Sequence, residues 1–323
     1  MKRWLFAVVA ILLHLVLPQS WVEVLAVAAV LTLGLAHGAV DPLLARGGES
    51  VTFYLTYLAA AVAVLVAWWL SPTVALLGLL AASVVHFGNG DARGMACPSS
   101  SAIFARGLMV VFLPLVLHTA EVAPIIVALG VPAPTWGPIE GAGLAIPLVV
   151  WNVLAARRRG TFAVADVVVL ALSFAILPPL VSFSLYFTAW HAVDHFLDLR
   201  HLDAAKLARR AALGCVISWT AIALFAWATA RWVAPEARWA VVFGFLSAVT
   251  APHMIVVARA RLALHRTAAP ASSADSRQVV GATQRPRVPP HRFLRWSSSL
   301  STNHEDANAR RTAGPRDETR GAR

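Results

Sequence analysis

From Leu5 to Val257 apolar residues follow one another in long runs, each closed by a few charged residues, a proline or a glycine. Runs of roughly 17 to 25 residues cross a hydrocarbon core about 30 Å thick as helix. Short segments alternating in polarity, which a membrane β-barrel would need, are absent. Backbone polar groups in lipid must then be satisfied within each segment, so the pattern predicts an all-α fold, a polytopic transmembrane helical bundle. Spans are expected at about 4–17, 23–44, 52–70, 72–88, 102–118, 139–156, 162–180, 181–199, 211–230 and 239–258. The first follows Lys2 and Arg3 and is short enough to be read also as a signal peptide. Residues 119–138 are apolar but hold four prolines and two glycines, which predicts an outer loop or re-entrant segment.

Charge fixes an orientation for this string of spans. With the N-terminus in the cytoplasm, Arg46, Arg93, Arg106, Arg157, Arg158, Arg159, Arg200, Lys206, Arg209 and Arg210 fall on the inner side, and Arg231 and Arg238 outside. That asymmetry is what the positive-inside rule asks for in a multi-pass cell-membrane protein with both termini in the cytoplasm. The chain of 323 residues is 59% hydrophobic and 13% charged, with a net charge of +11. Its basic excess lies in short loops and beyond Arg259, which points to lipid headgroups and away from nucleic acid. A transmembrane catalytic domain over 1–260 and a basic, disordered cytoplasmic tail over 261–323 follow from the change in composition. Cys97 and Cys215 have no metal spacing and are not expected to pair.

The histidines sort by depth. His201, His265, His291 and His304 fall in loop or tail, and His14 and His118 lie toward the outer ends of their spans. His37, His86, His191, His195 and His253 precede Arg46, Arg93, Arg200 and Arg259 by five to nine residues. At about 1.5 Å per residue, these offsets place all five in one shallow slab of the cytoplasmic half. Histidine is costly in a bilayer and faces the bundle interior, so one shared site explains five better than separate accidents do. His191 and His195 stand at i, i+4 on one helix face. Imidazole suits iron, zinc and copper, and Asp41, Asp194 or Asp198 could orient a ring from behind.

Four motifs carry a resemblance: "LAHGAVDPLL" at 35–44, "SVVHFGNGD" at 83–91, "YFTAWHAVDH" at 186–195 and "APHM" at 251–254. In order and spacing they resemble the Brp/Blh family of membrane-bound β-carotene 15,15'-dioxygenases. The resemblance implies Fe(2+) held by His37, His86, His191 and His195, and cleavage of β-carotene by O2 into two retinals. It implies a carotenoid substrate arriving from the bilayer and leaves an opsin as a possible acceptor of the product. His253 is expected behind the ligands or lining the pocket. Ala36 and Pro42 stand where the family has proline and a polar residue or histidine, and Asp194 stands where a basic residue is expected.

Trp68, Trp69, Phe87, Phe183, Tyr186, Phe187 and Trp190 are candidates to line a polyene tunnel, Phe87, Tyr186 and Trp190 above the rest because they adjoin histidines. The Tyr186 hydroxyl is a candidate donor to bound oxygen. The competing classes are a membrane hydroxylase or desaturase and a non-enzymatic haem- or metal-binding protein. Di-iron sites of the first class use HxxHH clusters, and the sequence has no adjacent pair of histidines. A single i, i+4 pair does not straddle a haem.

Overall fold

The computed structural model describes residues 2–45, 48, 50–91, 99–233 and 238–268, and among these there is no strand. Arg46, Arg93, Cys97, His291 and His304 lie outside the described residues, as does the segment from 269 onward. Eleven helices follow: α1 Lys2–Val16, α2 Gln19–Leu44, α3 Val51–Leu70, α4 Pro72–Asp91, α5 Ser100–Leu117, α6 Thr119–Ala128, α7 Pro138–Arg157, α8 Thr161–Ile176, α9 over 179–198, α10 Ala204–Trp232 and α11 Arg238–Ala268. Among the described residues six helical segments, in α2, α3, α4, α5, α7 and α11, are long and apolar enough to cross a membrane by length and composition. The expected loop after His118 begins as a helix, α6, which at about 1.5 Å per residue is too short to span.

Polarity is distributed as lipid requires. Leu5, Trp21, Leu55, Trp69, Leu77 and Ile139 point outward, and Trp69 is 82% exposed. The centre is held by α5, where Ala105, Met109, Val110 and Leu113 are buried. Apolar side chains gain nothing by leaving lipid for each other, so helices associate where small residues allow close packing. A β-carbon on Gly88 would stand 2.2 Å from the Ile103 carbonyl oxygen, and one on Gly107 would stand 1.9 Å from that of Val84. This reciprocal pair fixes α4, and with it His86, against α5.

The first helix is packed into the bundle. Ala7 is buried, Trp4 stacks on Phe162, and Arg3 pairs with Asp194 on the helix that carries His191. Two helices depart from α geometry where they carry histidines: α2 has a π-helical turn at Val30–Gly34, and α9 has one at Phe187–Ala192. A π turn inserts a residue and is frequent at functional sites. Here the two turns meet, since a β-carbon on Gly34 would lie 2.9 Å from the Phe187 ring.

Candidate metal centre

Four helices bring five histidines to one point. His37 arrives just after the π turn of α2, His86 near the end of α4, His191 within the π turn of α9 and His195 one turn on, and His253 follows Pro252 in α11. All five are buried. His37 is the hub: its ring centroid is 4.0 Å from that of His195, 4.5 Å from His253 and 5.0 Å from His191. His86 completes the ring at 4.9 Å from His191 and 5.3 Å from His253.

The nitrogen atoms face each other. His86 Nε2 lies 3.1 Å from His191 Nε2, and His37 Nε2 lies 2.8 Å from His253 Nε2. The triad His37, His86 and His191 offers one ligand atom apiece with all of them within 4.8 Å of one another. His37 Nδ1 is buried with no hydrogen-bond partner. Nitrogen donors without a charged ligand fit iron, zinc or copper better than magnesium or calcium.

Sequence neighbours make the convergence possible. In "HFGNGD", Gly90 faces His191, whose Cε1 and Nδ1 would lie 3.1 Å from a β-carbon there. Its hydrogen side chain leaves room for the imidazole. In "AHGAVDPLL" the helix is interrupted at Val40, and Pro42 is tolerated because it opens a new turn, where its missing N–H is not needed. The interruption directs Asp41 across the bundle.

The carboxylates go to different places. Asp41 is bonded to His253, its Oδ1 accepting from Nδ1 at 2.7 Å, and is not the backing group of its own helix's His37. The Tyr57 hydroxyl lies 3.3 Å from Asp41 Oδ2 and 3.1 Å from the Val249 carbonyl oxygen. Asp194 pairs with Arg3. Asp91 and Asp166, neither of which the sequence reading singled out, anchor a charged network behind His191. The aspartate at the end of "SVVHFGNGD" was the available signal for the first of these.

The aromatic candidates divide similarly. Phe87 meets the His191 ring edge-on at 4.8 Å, and Phe187 lies 5.5 Å from His191 and 5.8 Å from His37. Phe183 packs behind both, edge-on to Phe87 at 5.8 Å and tilted against Phe187 at 6.1 Å. Tyr186 donates its hydroxyl proton to Asp91 at 3.0 Å, and Trp190 donates to Asp166 at 3.1 Å. Trp68 is buried in α3, whereas Trp69 faces outward.

Comparison with known proteins places these features in context. Residues 28–259 match the family model described as beta-carotene 15,15'-dioxygenase. A curated relative named beta-carotene 15,15'-dioxygenase, from an uncultured marine bacterium 66A03, is 28% identical over 257 residues, covering 72% of this chain and 91% of that protein. No solved structure matches.

Proposed function

The chain belongs to the beta-carotene 15,15'-dioxygenase family, and on that premise we propose that it cleaves the central 15,15' double bond of β-carotene with O2 at an iron(II) centre. The carbon–carbon bond breaks, each carbon takes one oxygen atom, and two molecules of retinal result. The observation that carries the reading is the buried meeting of His37, His86, His191 and His195 from three helices. These four would hold the metal, which when bound supplies the redox and Lewis-acid chemistry that lets O2 react with an alkene.

The chain's own part is placement and exclusion. Neutral imidazoles bring no anionic ligand into an apolar interior, where an unpaired charge is costly. Phe87, Phe183 and Phe187 form an apolar wall beside His191 and His37, against which a flat polyene can lie. Their packing also keeps water from the reacting bond. A C40 hydrocarbon resides in the bilayer, so entry between helices supplies it directly. The setting is a cell membrane, with surrounding lipid and an opsin-type acceptor as partners.

The test is pigment analysis of cells that accumulate β-carotene, with and without this chain. Bleaching accompanied by retinal is the expected result. Cells that stay orange while the purified chain retains iron would sink the substrate assignment.

A further inference from the structure

This inference rests on the metal reading above and concerns the histidine it leaves out. Asp41 is 1% exposed, so its carboxylate can be served only by protein groups. A carboxylate accepts and does not donate, so its 2.7 Å contact places the ring proton on His253 Nδ1. In a neutral imidazole the lone pair then sits on Nε2. That atom lies 2.8 Å from His37 Nε2.

Such a pair of separations has a simple meaning. With metal–nitrogen bonds of about 2.0–2.1 Å, two donors at right angles on one ion stand about 3 Å apart. The His37–His253 separation of 2.8 Å and the His86–His191 separation of 3.1 Å are each that of two neighbouring donors on one ion. Without a cation, the His253 lone pair needs the proton of His37 Nε2; with one, both Nε2 lone pairs can serve the ion. We propose that His253 is itself a metal ligand, with Asp41 as the positioning residue that fixes its tautomer and ring angle. A carboxylate behind a ligating imidazole does this widely in metal sites and raises the ligand's basicity.

The backbone prepares both partners. Pro252 lies in the middle of α11 and removes one helical hydrogen bond in the turn that carries His253. The break before Asp41–Pro42 points the carboxylate at that turn. Tyr57 from α3 shares its one hydroxyl proton between Asp41 and the Val249 carbonyl, tying α2, α3 and α11 together at the ligand.

The experiment uses the full chain in detergent, stripped of metal and titrated with Co(2+) as a visible probe. Wild type is expected to bind stoichiometrically. His253→Ala should weaken binding at least about tenfold and change the d–d spectrum, as loss of a ligand does. Asp41→Ala should cost about 10- to 100-fold, and Asp41→Asn, whose amide oxygen still accepts from Nδ1, should recover most of it. Wild-type affinity and spectrum in His253→Ala, with binding lost in His191→Ala, would overturn the proposal and leave the metal centre standing. Absence of binding in wild type would overturn both. If His253→Ala does not fold, equal losses in Asp41→Ala and Asp41→Asn overturn the positioning role.

Discussion

Trp190 and His191 are adjacent in the chain and enter opposite kinds of polar surroundings. Trp190 belongs to a charged network in which donors and acids alternate. Arg106 reaches Asp91 at 2.5 Å and Asp166 at 3.9 Å, Tyr186 donates to Asp91, and Trp190 and Trp4 donate to Asp166. His191 belongs to the five-imidazole cluster, where nitrogen faces nitrogen and His37 Nδ1 lacks a partner. Both regions are buried at the same end of the bundle. The network closes on itself and has the form of a structural device, while the cluster gathers ligand-type nitrogens close enough together to hold a metal ion. Convergence of ligand-type nitrogens therefore marks the candidate site better than burial of charge does.

The sharpest way to break this comparison is to truncate one member of each. His191→Ala should reduce retinal formation to background and abolish metal retention, while the helical content and unfolding midpoint of the metal-free protein stay near wild type. Turnover at the wild-type level would end the shared-site account. Arg106→Ala should do the reverse. Asp91 and Arg106 side chains are each 8% exposed, and removing one partner of a buried pair costs about 3–5 kcal/mol because the other charge is left uncompensated. A large fall in the unfolding midpoint, with metal affinity retained by the folded fraction, is the expected readout.

These two residues also show what the sequence did and did not disclose. The matched intervals from each histidine to the next arginine placed all five histidines at one depth, because a helix converts residue count into distance. Their meeting was legible for that reason. Arg106 was legible only as a charge at a span's inner end, and nothing local distinguished a loop arginine from one folded back onto Asp91. The bond between Asp41 and His253 joins residues 212 apart in the chain, and helix spacing pointed instead to His37. The π turns at Val30–Gly34 and Phe187–Ala192 left no compositional trace. They face each other through Gly34 and Phe187, a tertiary contact that composition does not carry.

Tyr186 offers a finer division. Its ring lies 6.2 Å from that of His191, yet its hydroxyl serves Asp91. Tyr186→Phe should therefore lower stability by about 1.5–3 kcal/mol, the range for a hydrogen bond to a charged group. Turnover per bound metal should be unchanged. A selective loss of turnover at full metal occupancy would move Tyr186 into the catalytic region and blur the boundary between the two.

The smallest effect is expected at the edge of the network, where α1 meets α9. Arg3 and Asp194 form an ion pair, and each side chain is 32% exposed. Solvent or headgroups screen such a pair, which holds its contribution to about 0–1 kcal/mol. Asp194 stands three residues after His191, so a larger coupling would mean that α1 helps to set the histidine helix. A double-mutant cycle of Arg3→Ala and Asp194→Ala separates these cases, since it removes the effect of each truncation on everything but its partner. A coupling below about 1 kcal/mol, with metal affinity unchanged, leaves the pair as a surface clasp. A coupling above that, accompanied by weaker metal binding, would extend the buried network to α1 and make Asp194 a link between the two regions.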